Sequence, residues 1–580
     1  MRIVTARRIS QVFFFALFIW FGIVSTVGER FWQIRGWPVN WFLQLDPLAA
    51  IGTILTTHKL YWPLLWAVVT VVLTIILGRF FCSWVCPFGS LHHFTGFVAN
   101  RRKTTPAKLA LNDYKKAQGL KYLVLVFFLG MAAFPSLAAT LQTGLLDPIP
   151  LVTRSFNIVI LAVADRSVNI ASAAARFYEH AWLILAVLLT AVFLNLLIPR
   201  FYCRFICPLG ALFGILSRFS IWRIGKKQAE CPGCRLCRRS CEGACEPDKQ
   251  IRTSECVLCF NCLTDCKNGV IGYQTIASAG GEITDPDVSR RGLVLAFLTG
   301  VLAVPAARLS NALGTNWNNK IIRPPGALPE EQFLNRCIKC GQCMRICPTN
   351  VIQPAGFLGS AETLFTPVLN NRTGTSGCQL NCTACGQICP TAAIRPITLA
   401  EKLGTDEFAD VGPVKMGTAF VDRNRCLAWA MNKPCIVCQE NCPLSPKAIY
   451  TDEYFSPVRD GVFSVKAVKE NIIETIEDGL EPGKFASGDY YITIDNQRRK
   501  ITANTENTIE IEPCEPLEKK SIETEKFTVE VRLQRPYVDI DKCIGCGICE
   551  HECPVSGQRA IRVSAEGQTR DPLKALLLKR

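Results

Sequence analysis

The chain has 580 residues, a length that exceeds a single hydrophobic core and indicates about three or four domains. It carries 30 cysteines, nearly all in short clusters, which favours metal ligation over a disulfide scaffold. The net charge is +16, but residues 1–309 carry 32 Lys and Arg against 15 Asp and Glu, whereas residues 310–580 carry 32 against 33. Because the basic excess is confined to one half, it indicates membrane topology, and we expect no nucleic-acid partner.

Apolar segments in the first half are long enough to cross roughly 30 Å of hydrocarbon. Four lie near Val12–Val27, Tyr61–Leu77, Tyr122–Leu141 and Trp182–Ile198, and a fifth lies at Leu293–Val304. Lys and Arg are denser at 79–121 and 200–291 than at 28–60 and 142–180. The positive-inside rule therefore predicts a cytoplasmic N-terminus in the bacterial cytoplasmic (inner) membrane and a periplasmic domain after about Leu309.

The segment Ser289–Ala307, "SRRGLVLAFLTGVLAVPAA", has the paired arginines and modest apolar run of a twin-arginine export signal. This interpretation suits a domain that must cross the membrane after its clusters are inserted. The alternative is an ordinary helix with two cytoplasmic arginines. Cleavage would fall near Ala306 or Ala307, and without cleavage the segment is a fifth anchor.

The membrane half is an internal duplication. "GRFFCSWVCPFGSL" at 78–91 matches "PRFYCRFICPLGAL" at 199–212, an Asp-Pro pair recurs at Asp46 and Asp147, and His58 and His180 precede the second helix of each pair. The repeats have the same orientation, so we expect a pseudo-two-fold axis along the membrane normal. The i, i+4 spacing places each cysteine pair on one helical face if the helix persists that far. Cys82, Cys86, Cys203 and Cys207 then converge, either as ligands of an extra iron–sulfur cluster or as reactive dithiols or structural turns.

Between the fourth and fifth apolar segments, two runs have the C-x2-C-x2-C-x3-C spacing of [4Fe-4S] ferredoxins. They are Cys231, Cys234, Cys237 and Cys241, then Cys256, Cys259, Cys262 and Cys266. The fourth cysteine of each run serves the other cube in two-cluster ferredoxins, so we assign Cys231, Cys234, Cys237 and Cys266 to one cluster and Cys256, Cys259, Cys262 and Cys241 to the other. Cys245 is the alternative to Cys241.

Four further runs lie in the second half, and a proline follows each fourth cysteine. They are Cys337, Cys340, Cys343 and Cys347; Cys378, Cys382, Cys385 and Cys389; Cys426, Cys435, Cys438 and Cys442; and Cys543, Cys546, Cys549 and Cys553. The same exchange pairs Cys337/Cys340/Cys343/Cys389, Cys378/Cys382/Cys385/Cys347, Cys426/Cys435/Cys438/Cys553 and Cys543/Cys546/Cys549/Cys442. Zinc sites and disulfides are the alternatives, but three ligands within about seven residues suit a cube better than separated zinc pairs.

The fold class we predict is a membrane α-helical protein, a duplicated four-helix core plus a fifth helix, with α+β ferredoxin-like modules. The domains are 1–222, the membrane domain; 223–285, a cytoplasmic two-cluster module; 286–309, the twin-arginine-like segment; and 310–580, a periplasmic four-cluster domain. Alternation of apolar and polar residues predicts a small β-rich insertion at about 451–535, where Cys514 stands alone as an incidental thiol.

The cysteine motifs of residues 1–275 resemble the NapH-type membrane quinol dehydrogenase subunit, a relative of NosR and MauN. Residues 285–580 resemble the NapG/MauM-type periplasmic ferredoxin, as if the two were fused. Glu242 and Lys267 depart from the family's proline after the fourth cysteine. The resemblance implies oxidation of membrane quinol, six [4Fe-4S] clusters with a seventh as an open alternative, and electron delivery to a periplasmic reductase or cytochrome c.

For a quinone site the sequence offers Asp46, His58, Asp147 and His180 near the outer face, with His92 and His93 as an inner alternative. Two other functions remain open. One is an accessory protein that matures or reactivates a periplasmic metalloenzyme. The other is a quinone-independent transmembrane wire fed by a cytoplasmic ferredoxin, which must bridge clusters separated by a bilayer.

Overall fold

The computed structural model describes residues 3–25, 38–134, 140–168, 175–227, 231–312, 321–356, 361–477, 479–494, 497–513 and 526–571. The chain divides into two units. The first comprises 1–375, 381–414 and 569–573, and the second comprises 376–380, 415–568 and 574–580. Cys514 lies outside the described residues.

The N-terminal part of the first unit is helical. Its helices are α1 (Ile3–Val24), α2 (Trp41–Gln44), α3 (Pro47–Thr57), α4 (Trp66–Leu77), α5 (Phe81–Trp84), α6 (Pro87–Asn100), α7 (Thr105–Leu111), α8 (Leu120–Ala133), α9 (Pro148–Ser155), α10 (Leu161–Val168), α11 (Ala181–Phe193), α12 (Phe201–Phe205) and α13 (Pro208–Leu216). Within the described residues, Ile3–Val24, Lys116–Ala133 and Pro148–Ser167 are long and apolar enough to cross a membrane.

The membrane core differs from the expected four spanning helices. Trp62–Leu77 and Ala181–Leu196, two of the predicted spans, form apolar helices shorter than those three. The stretch Pro148–Ser167, which the sequence placed between spans, is helical and 83% buried inside the protein. A π-helical turn at Phe156–Ile160 joins its two α-helical parts. The sequence did not predict this helix as a span, because Arg154, Asp165 and Arg166 interrupt its apolar residues.

Helices α3 and α9 begin in the same way, at an Asp-Pro pair. Asp46 accepts from the backbone N–H groups of Leu48 and Ala49, and Asp147 accepts from that of Ile149. Aspartate is a favoured N-cap and proline a favoured first helical residue, because proline has no N–H to leave unpaired. The repeated Asp-Pro pair therefore starts one short buried helix in each of the two repeats.

The ferredoxin-like module after α13 contains short elements around its cysteines. They are β1 (Arg223–Lys226), α14 (Leu236–Arg239), β2 (Ile251–Arg252), α15 (Asn261–Asp265), β3 (Ile271–Gln274) and β4 (Glu282–Ile283). Strands β1 and β3 pair antiparallel, and β2 and β4 pair parallel. The hydroxyl of Tyr273 donates to the carbonyl of Leu77 (2.8 Å), so this module lies against the C-terminal end of α4.

Helix α16 (Arg290–Ala312) follows and packs against α8. It continues through Pro305, past the predicted cleavage region. Two glycines permit the close approach, since a Cβ at Gly300 would lie 2.1 Å from the carbonyl oxygen of Phe127 and one at Gly130 would lie 2.5 Å from that of Phe297. Small residues at such crossings are typical of membrane helix pairs.

The first unit ends with a second ferredoxin-like module. Its elements are α17 (Glu330–Leu334), α18 (Gln342–Ile346), β5 (Ile352–Pro354), β6 (Pro367–Leu369), α19 (Ala384–Gln387) and α20 (Leu399–Leu403). Strands β5 and β6 pair antiparallel.

The second unit joins cysteine-bearing segments to a β-barrel. Its elements are β7 (Thr418–Val421), α21 (Leu427–Ala430), α22 (Val437–Glu440), β8 (Ile449–Lys469), β9 (Ile472–Thr475), β10 (Tyr490–Ile494), β11 (Gln497–Asn504), β12 (Thr508–Ile511), β13 (Lys526–Val538), α23 (Ile548–Glu552) and β14 (Ile561–Ser564). Strands β8–β13 close a six-stranded barrel, and β7 pairs with β14. The barrel encloses an apolar core that includes Ile473, Ile492 and Val529, at the place where the alternation pattern predicts a β-rich insertion.

Candidate iron–sulfur sites

The repeat cysteines lie on two equivalent turns. Cys82 is in α5 and Cys203 is in α12, whereas Cys86 and Cys207 are the N-caps of α6 and α13. The thiol of Cys86 accepts from the N–H of Gly89 (3.3 Å), and that of Cys207 accepts from the N–H of Gly210 (3.1 Å). The helix does not persist through each pair, because the following proline disfavours helical backbone at the second cysteine.

The two turns bring their thiols together. Cys82 and Cys203 lie within Coulombic range of each other, of Cys86 and of Cys207. No disulfide joins these four residues. Four converging thiols are the donor set that a cubane cluster takes, although within the described residues no three His, Cys, Asp or Glu side chains are placed to hold a single metal ion.

Two buried arginines, equivalent in the repeats, flank the four thiols. Arg200 donates to the carbonyl of Cys82 (3.3 Å) and to the carboxylate of Glu242 (2.6 Å). Arg79 donates to the carbonyl of Ser254 (2.5 Å) and lies beside Cys207. Buried cations of this kind offset the negative charge of thiolate ligands. They also connect the repeat turns to the 231–266 module.

Glu242 replaces the proline that usually follows the fourth ferredoxin cysteine. Burial of Glu242 opposes its ionisation, but Arg200, His93 and Arg7 outweigh burial and hold the pKa of this carboxyl well below its usual range. Glu242, which stands where the family has proline, is therefore a buried carboxylate that forms ion pairs with Arg7 and Arg200.

The 231–266 module brings Cys241 towards the second run, as the exchange of ligands requires. Cys262 lies within Coulombic range of Cys256, Cys259 and Cys241. Cys245 also reaches this place, since its thiol lies 3.4 Å from that of Cys241 and within hydrogen-bonding distance of Cys256. Both candidates for the fourth ligand are thus adjacent to the run, and the choice between them stays open.

In residues 310–580, members of three of the four exchanged cysteine sets lie close together. Cys389 lies within Coulombic range of Cys337, Cys340 and Cys343. Four cysteines line one small cavity, namely Cys426, Cys435, Cys438 and Cys553. Cys442 lies within Coulombic range of Cys543 and Cys546. The set of Cys378, Cys382, Cys385 and Cys347 is divided between the two units and stays a prediction.

The loop that carries Cys337 and Cys340 enters the buried core of the membrane helices. Arg154 donates to the carbonyl of Lys339 (2.9 Å), and Gly144 leaves no room for a Cβ beside the carbonyl of Ile338. Ile338 and Cys340 belong to the same hydrophobic core as Cys86 and Cys207. The sequence did not predict this insertion, because the loop reads as an ordinary ferredoxin run.

A buried ion pair fixes the far end of the same loop. Arg345 donates to Asp165 of α10 (2.6 Å), and both side chains are almost fully buried. Arg176 donates to the backbone carbonyls of Arg345 (2.5 Å) and Cys347 (3.0 Å). The loop is therefore held at both ends by side chains from the second membrane repeat.

The four residues proposed for an outer quinone site are not brought together. Asp46 and Asp147 are fully buried, with their carboxyl groups within hydrogen-bonding distance of each other. His58 is exposed at the other end of α3, about 18 Å along that helix from Asp46. His180 is partly buried and lies beside Gly356. The histidines and the acids thus occupy separate places.

The inner alternative for the quinone site, His92 and His93, lies at a cavity of about 540 Å³. It is lined by residues of α1, α6 and the 231–266 module, including His92, His93, Phe97, Arg200 and Glu242. His92 is fully buried, its Nδ1 is 2.5 Å from Asn195, and its Nε2 contacts no hydrogen-bonding group of the described residues. His93 Nε2 lies 3.0 Å from Arg7 and 3.2 Å from Glu242.

Comparison with known families matches the cysteine motifs. Residues 60–106 and 180–227, one stretch in each repeat, match a 4Fe-4S binding domain. Residues 336–393 match a 4Fe-4S dicluster domain, and residues 534–555 match a further 4Fe-4S binding domain. No solved structure matches the chain.

Relatives with known names match part of the chain. YccM of Escherichia coli, whose name describes electron transport, is 27% identical over 290 residues, which are 45% of this chain and 72% of YccM. The regulatory protein NosR of Pseudomonas aeruginosa is 28% identical over 239 residues, or 39% of this chain and 30% of NosR. The ferredoxin-type protein NapH of Escherichia coli is 26% identical over 307 residues, or 48% of this chain and 90% of NapH.

The matched domains, the apolar helices and these relatives define the class: the chain is a membrane-associated 4Fe-4S electron-transport protein. More particularly, it is similar to NapH, NosR and YccM. Its fusion to a NapG/MauM-type ferredoxin stays a prediction.

Proposed function

We propose that the protein oxidises membrane quinol and passes the electrons through [4Fe-4S] clusters to a redox protein on the opposite side of the membrane. The observation that carries this proposal is the cavity that His92 and His93 line beside the 231–266 cysteines. Its volume accommodates a quinol ring and the start of its tail. In the predicted topology, with the N-terminus cytoplasmic and the C-terminal domain periplasmic, the acceptor of the proposed path lies on the periplasmic side.

Oxidation of one quinol to quinone releases two protons and two electrons. The unpartnered Nε2 of His92 is placed to accept a hydrogen bond from one quinol hydroxyl, and His93, next to Glu242, is placed to take up a proton. Phe97 and Val4 supply apolar wall for the ring. Each [4Fe-4S] cluster, when bound, accepts and releases one electron at a time.

The ligand sets that we propose are those of the exchanged ferredoxin runs, six clusters in all, with a seventh at Cys82, Cys86, Cys203 and Cys207. The convergence of these four thiols and the match of both repeats to a 4Fe-4S binding domain support the seventh. It would lie between the 231–266 module and the loop of Cys337 and Cys340.

A second function, a quinone-independent wire fed by a cytoplasmic ferredoxin, is favoured by a different observation. Cys340 shares a buried core with Cys86 and Cys207, which shortens the separation that otherwise requires diffusing quinol. A role in maturing a metalloenzyme is the third candidate, and the name of the regulatory protein NosR is its only support.

The test is to purify the protein anaerobically in detergent, quantify iron and sulfide, and record EPR spectra after adding a reduced quinol analogue. We expect about 28 iron atoms per chain, four for each of seven clusters, and signals that quinol elicits. Full iron without quinol reduction, together with reduction by a ferredoxin, would establish the wire. Zinc or disulfides in place of iron would contradict all of these functions.

A further inference from the structure

We propose that the surface around Trp429, Tyr450, Tyr454, Arg423 and Arg535 in the second unit docks a soluble redox protein whose exposed redox group is ringed by acidic side chains. This inference rests on the proposed function, because it names the kind of partner that takes the electrons. It is argued from the stacking, exposure and charge of this surface and from its position beside one cysteine set.

The surface is built from stacked aromatic and guanidinium groups. Arg423 lies over the ring of Trp429 (4.3 Å), and Arg535 lies over Trp429 (4.8 Å) and Tyr454 (3.7 Å). Tyr450 stacks on Tyr537 with ring centroids 5.6 Å apart. Tyr450 and Tyr454 are 48% and 46% exposed, so these rings are presented to solvent. Aromatic and arginine side chains are the residues that dominate the energetics of protein interfaces.

The same surface adjoins a candidate cluster site. Trp429 belongs to α21, which begins directly after Cys426, and its indole N–H donates to the carbonyl of Pro536 (3.3 Å). Pro536 lines the cavity of Cys426, Cys435, Cys438 and Cys553. Cys435 is the one thiol of this set that is more than minimally exposed. A protein seated on the surface would therefore lie next to this cluster.

Within the second unit, the two exchanged sets have different neighbours. The N–H of Cys378 donates to the carbonyl of Cys546 (2.7 Å), so Cys378 lies beside the set of Cys442, Cys543, Cys546 and Cys549. Cys426 and Cys438 have Cys435 and Cys553 of their own set as electrostatic neighbours. We take this set, which adjoins the surface, as the cluster from which electrons pass to the docked protein.

The charge of the surface selects the partner. From Arg423 to Cys438 the chain carries Arg423, Arg425 and Lys433 and no acidic residue. Asp452 and Glu453, between the two tyrosines in sequence, are exposed, and Asp452 is opposite Arg535 in the β8–β13 ladder. Asp422 and Glu453 form ion pairs with Arg562 (3.0 Å) and Arg532 (3.8 Å). Arg423, Arg425, Lys433 and Arg535 therefore outnumber the remaining acid of this group, Asp452. A basic aromatic surface accelerates encounter with a protein of the opposite charge and repels one of like charge.

The experiment uses the full-length protein in detergent, reduced with dithionite and freed from excess reductant. Stopped-flow absorbance follows electron transfer to two probes, a soluble c-type cytochrome of net negative charge and one of net positive charge. We expect the acidic cytochrome to be reduced at least about tenfold faster at low salt, with the difference largely lost at high salt. The double variant Arg423→Glu/Arg535→Glu should reverse this preference.

The matched control is Arg459→Glu/Lys466→Glu, the same charge change at exposed positions further along β8. Iron content and the dithionite-reduced spectrum verify that each variant is folded and loaded. Equal rates for both cytochromes, an unreduced acidic cytochrome, or an equal effect of the control variant would overturn the docking surface. Reduction of the clusters by quinol is measured separately, so a failure of the proposed quinol oxidation is distinguishable from a failure of docking.

Discussion

The carboxyl groups of Asp46 and Asp147 lie within hydrogen-bonding distance of each other, although the two residues belong to different repeats. Each is also the N-cap of its own buried helix. The contact therefore joins the starts of α3 and α9 at the centre of the duplicated domain.

We expect Asp46→Asn to leave the thermal stability unchanged, because asparagine caps a helix equally well and carries its own donor. Asp46→Ala should lower the free energy of unfolding by about 1 kcal/mol through loss of the cap, and by more if the pair is lost as well. Thermal unfolding of the detergent-solubilised protein, followed by tryptophan fluorescence, measures both. Thr104→Ala is the control, since Thr104 starts α7 without a capping hydrogen bond from its side chain.

Removal of two repeat cysteines tests the seventh cluster. We expect Cys82→Ser/Cys203→Ser to lower the iron content by about four atoms per chain and to leave the ferredoxin-type EPR signals in place. Cys514→Ser, which changes a thiol predicted to be incidental, should keep the full iron content. An unchanged iron content in the double variant would show that the four repeat thiols hold no cluster.

The cavity at His92 and His93 gives a prediction for quinol oxidation. We expect His92→Phe to slow quinol-driven reduction of the clusters at least about tenfold, because the phenyl ring fills similar space but accepts no hydrogen bond. Reduction by dithionite and the iron content should not change. His58→Phe, at an exposed position, is the matched control. A larger effect of His58→Phe than of His92→Phe would move the quinone site to the outer face.

The insertion of the Cys337–Cys347 loop depends on the ion pair of Arg345 and Asp165. We expect Asp165→Ala to destabilise the protein by about 3–5 kcal/mol, the cost of leaving a buried guanidinium without its counter-charge. Faster proteolysis in detergent and a lower unfolding temperature measure the effect. Glu530→Ala, which removes the exposed partner of Arg498 on the barrel, should change the stability by less than about 1 kcal/mol.

The β-barrel is a separable insertion according to its strand pairing. Ile449 pairs with Val538, and the ladder continues to Ser456 and Val531. Replacing Pro457–Glu530 with an Asn-Gly turn should close this ladder as a hairpin and preserve the iron content, because the third and fourth runs flank the barrel. Loss of about eight iron atoms would show instead that the barrel is needed to assemble both clusters of the second unit.

The cysteine pattern predicted most of the candidate ligand sets, because ferredoxin spacing is a local property of the sequence. The exchange of Cys389 and Cys553 between runs follows from the same pattern and stays a prediction, while the structure places Cys389 near Cys337 and Cys553 beside Cys426. The alternation of apolar and polar residues likewise predicted the β-rich insertion. The cysteine spacing and the β-strand alternation are set by residues close in sequence, and the exchanged fourth cysteine comes from a second run with the same motif.

The sequence could not predict features that depend on tertiary packing. The helix Pro148–Ser167 is 83% buried inside the protein, but Arg154, Asp165 and Arg166 interrupt its apolar residues, so the sequence did not mark it as a span. The contact of Asp46 with Asp147 and the insertion of Ile338 depend on residues about a hundred and two hundred positions away in the chain. Whether a helix persists from Cys82 to Cys86 depends on a local feature, the proline after the second cysteine, and the structure shows that the helix ends before Cys86.

The insertion of one ferredoxin loop into the membrane core has a consequence for symmetry. The two repeats have nearly the same cysteine turns, yet the side chains that hold the loop, Arg154, Asp165 and Arg176, all belong to the second repeat. Two halves alike in sequence would offer that loop two alike binding surfaces. Because these three side chains come from one half, the symmetry of the duplication is broken where the loop enters, and the two cysteine turns, alike in sequence, have unlike surroundings.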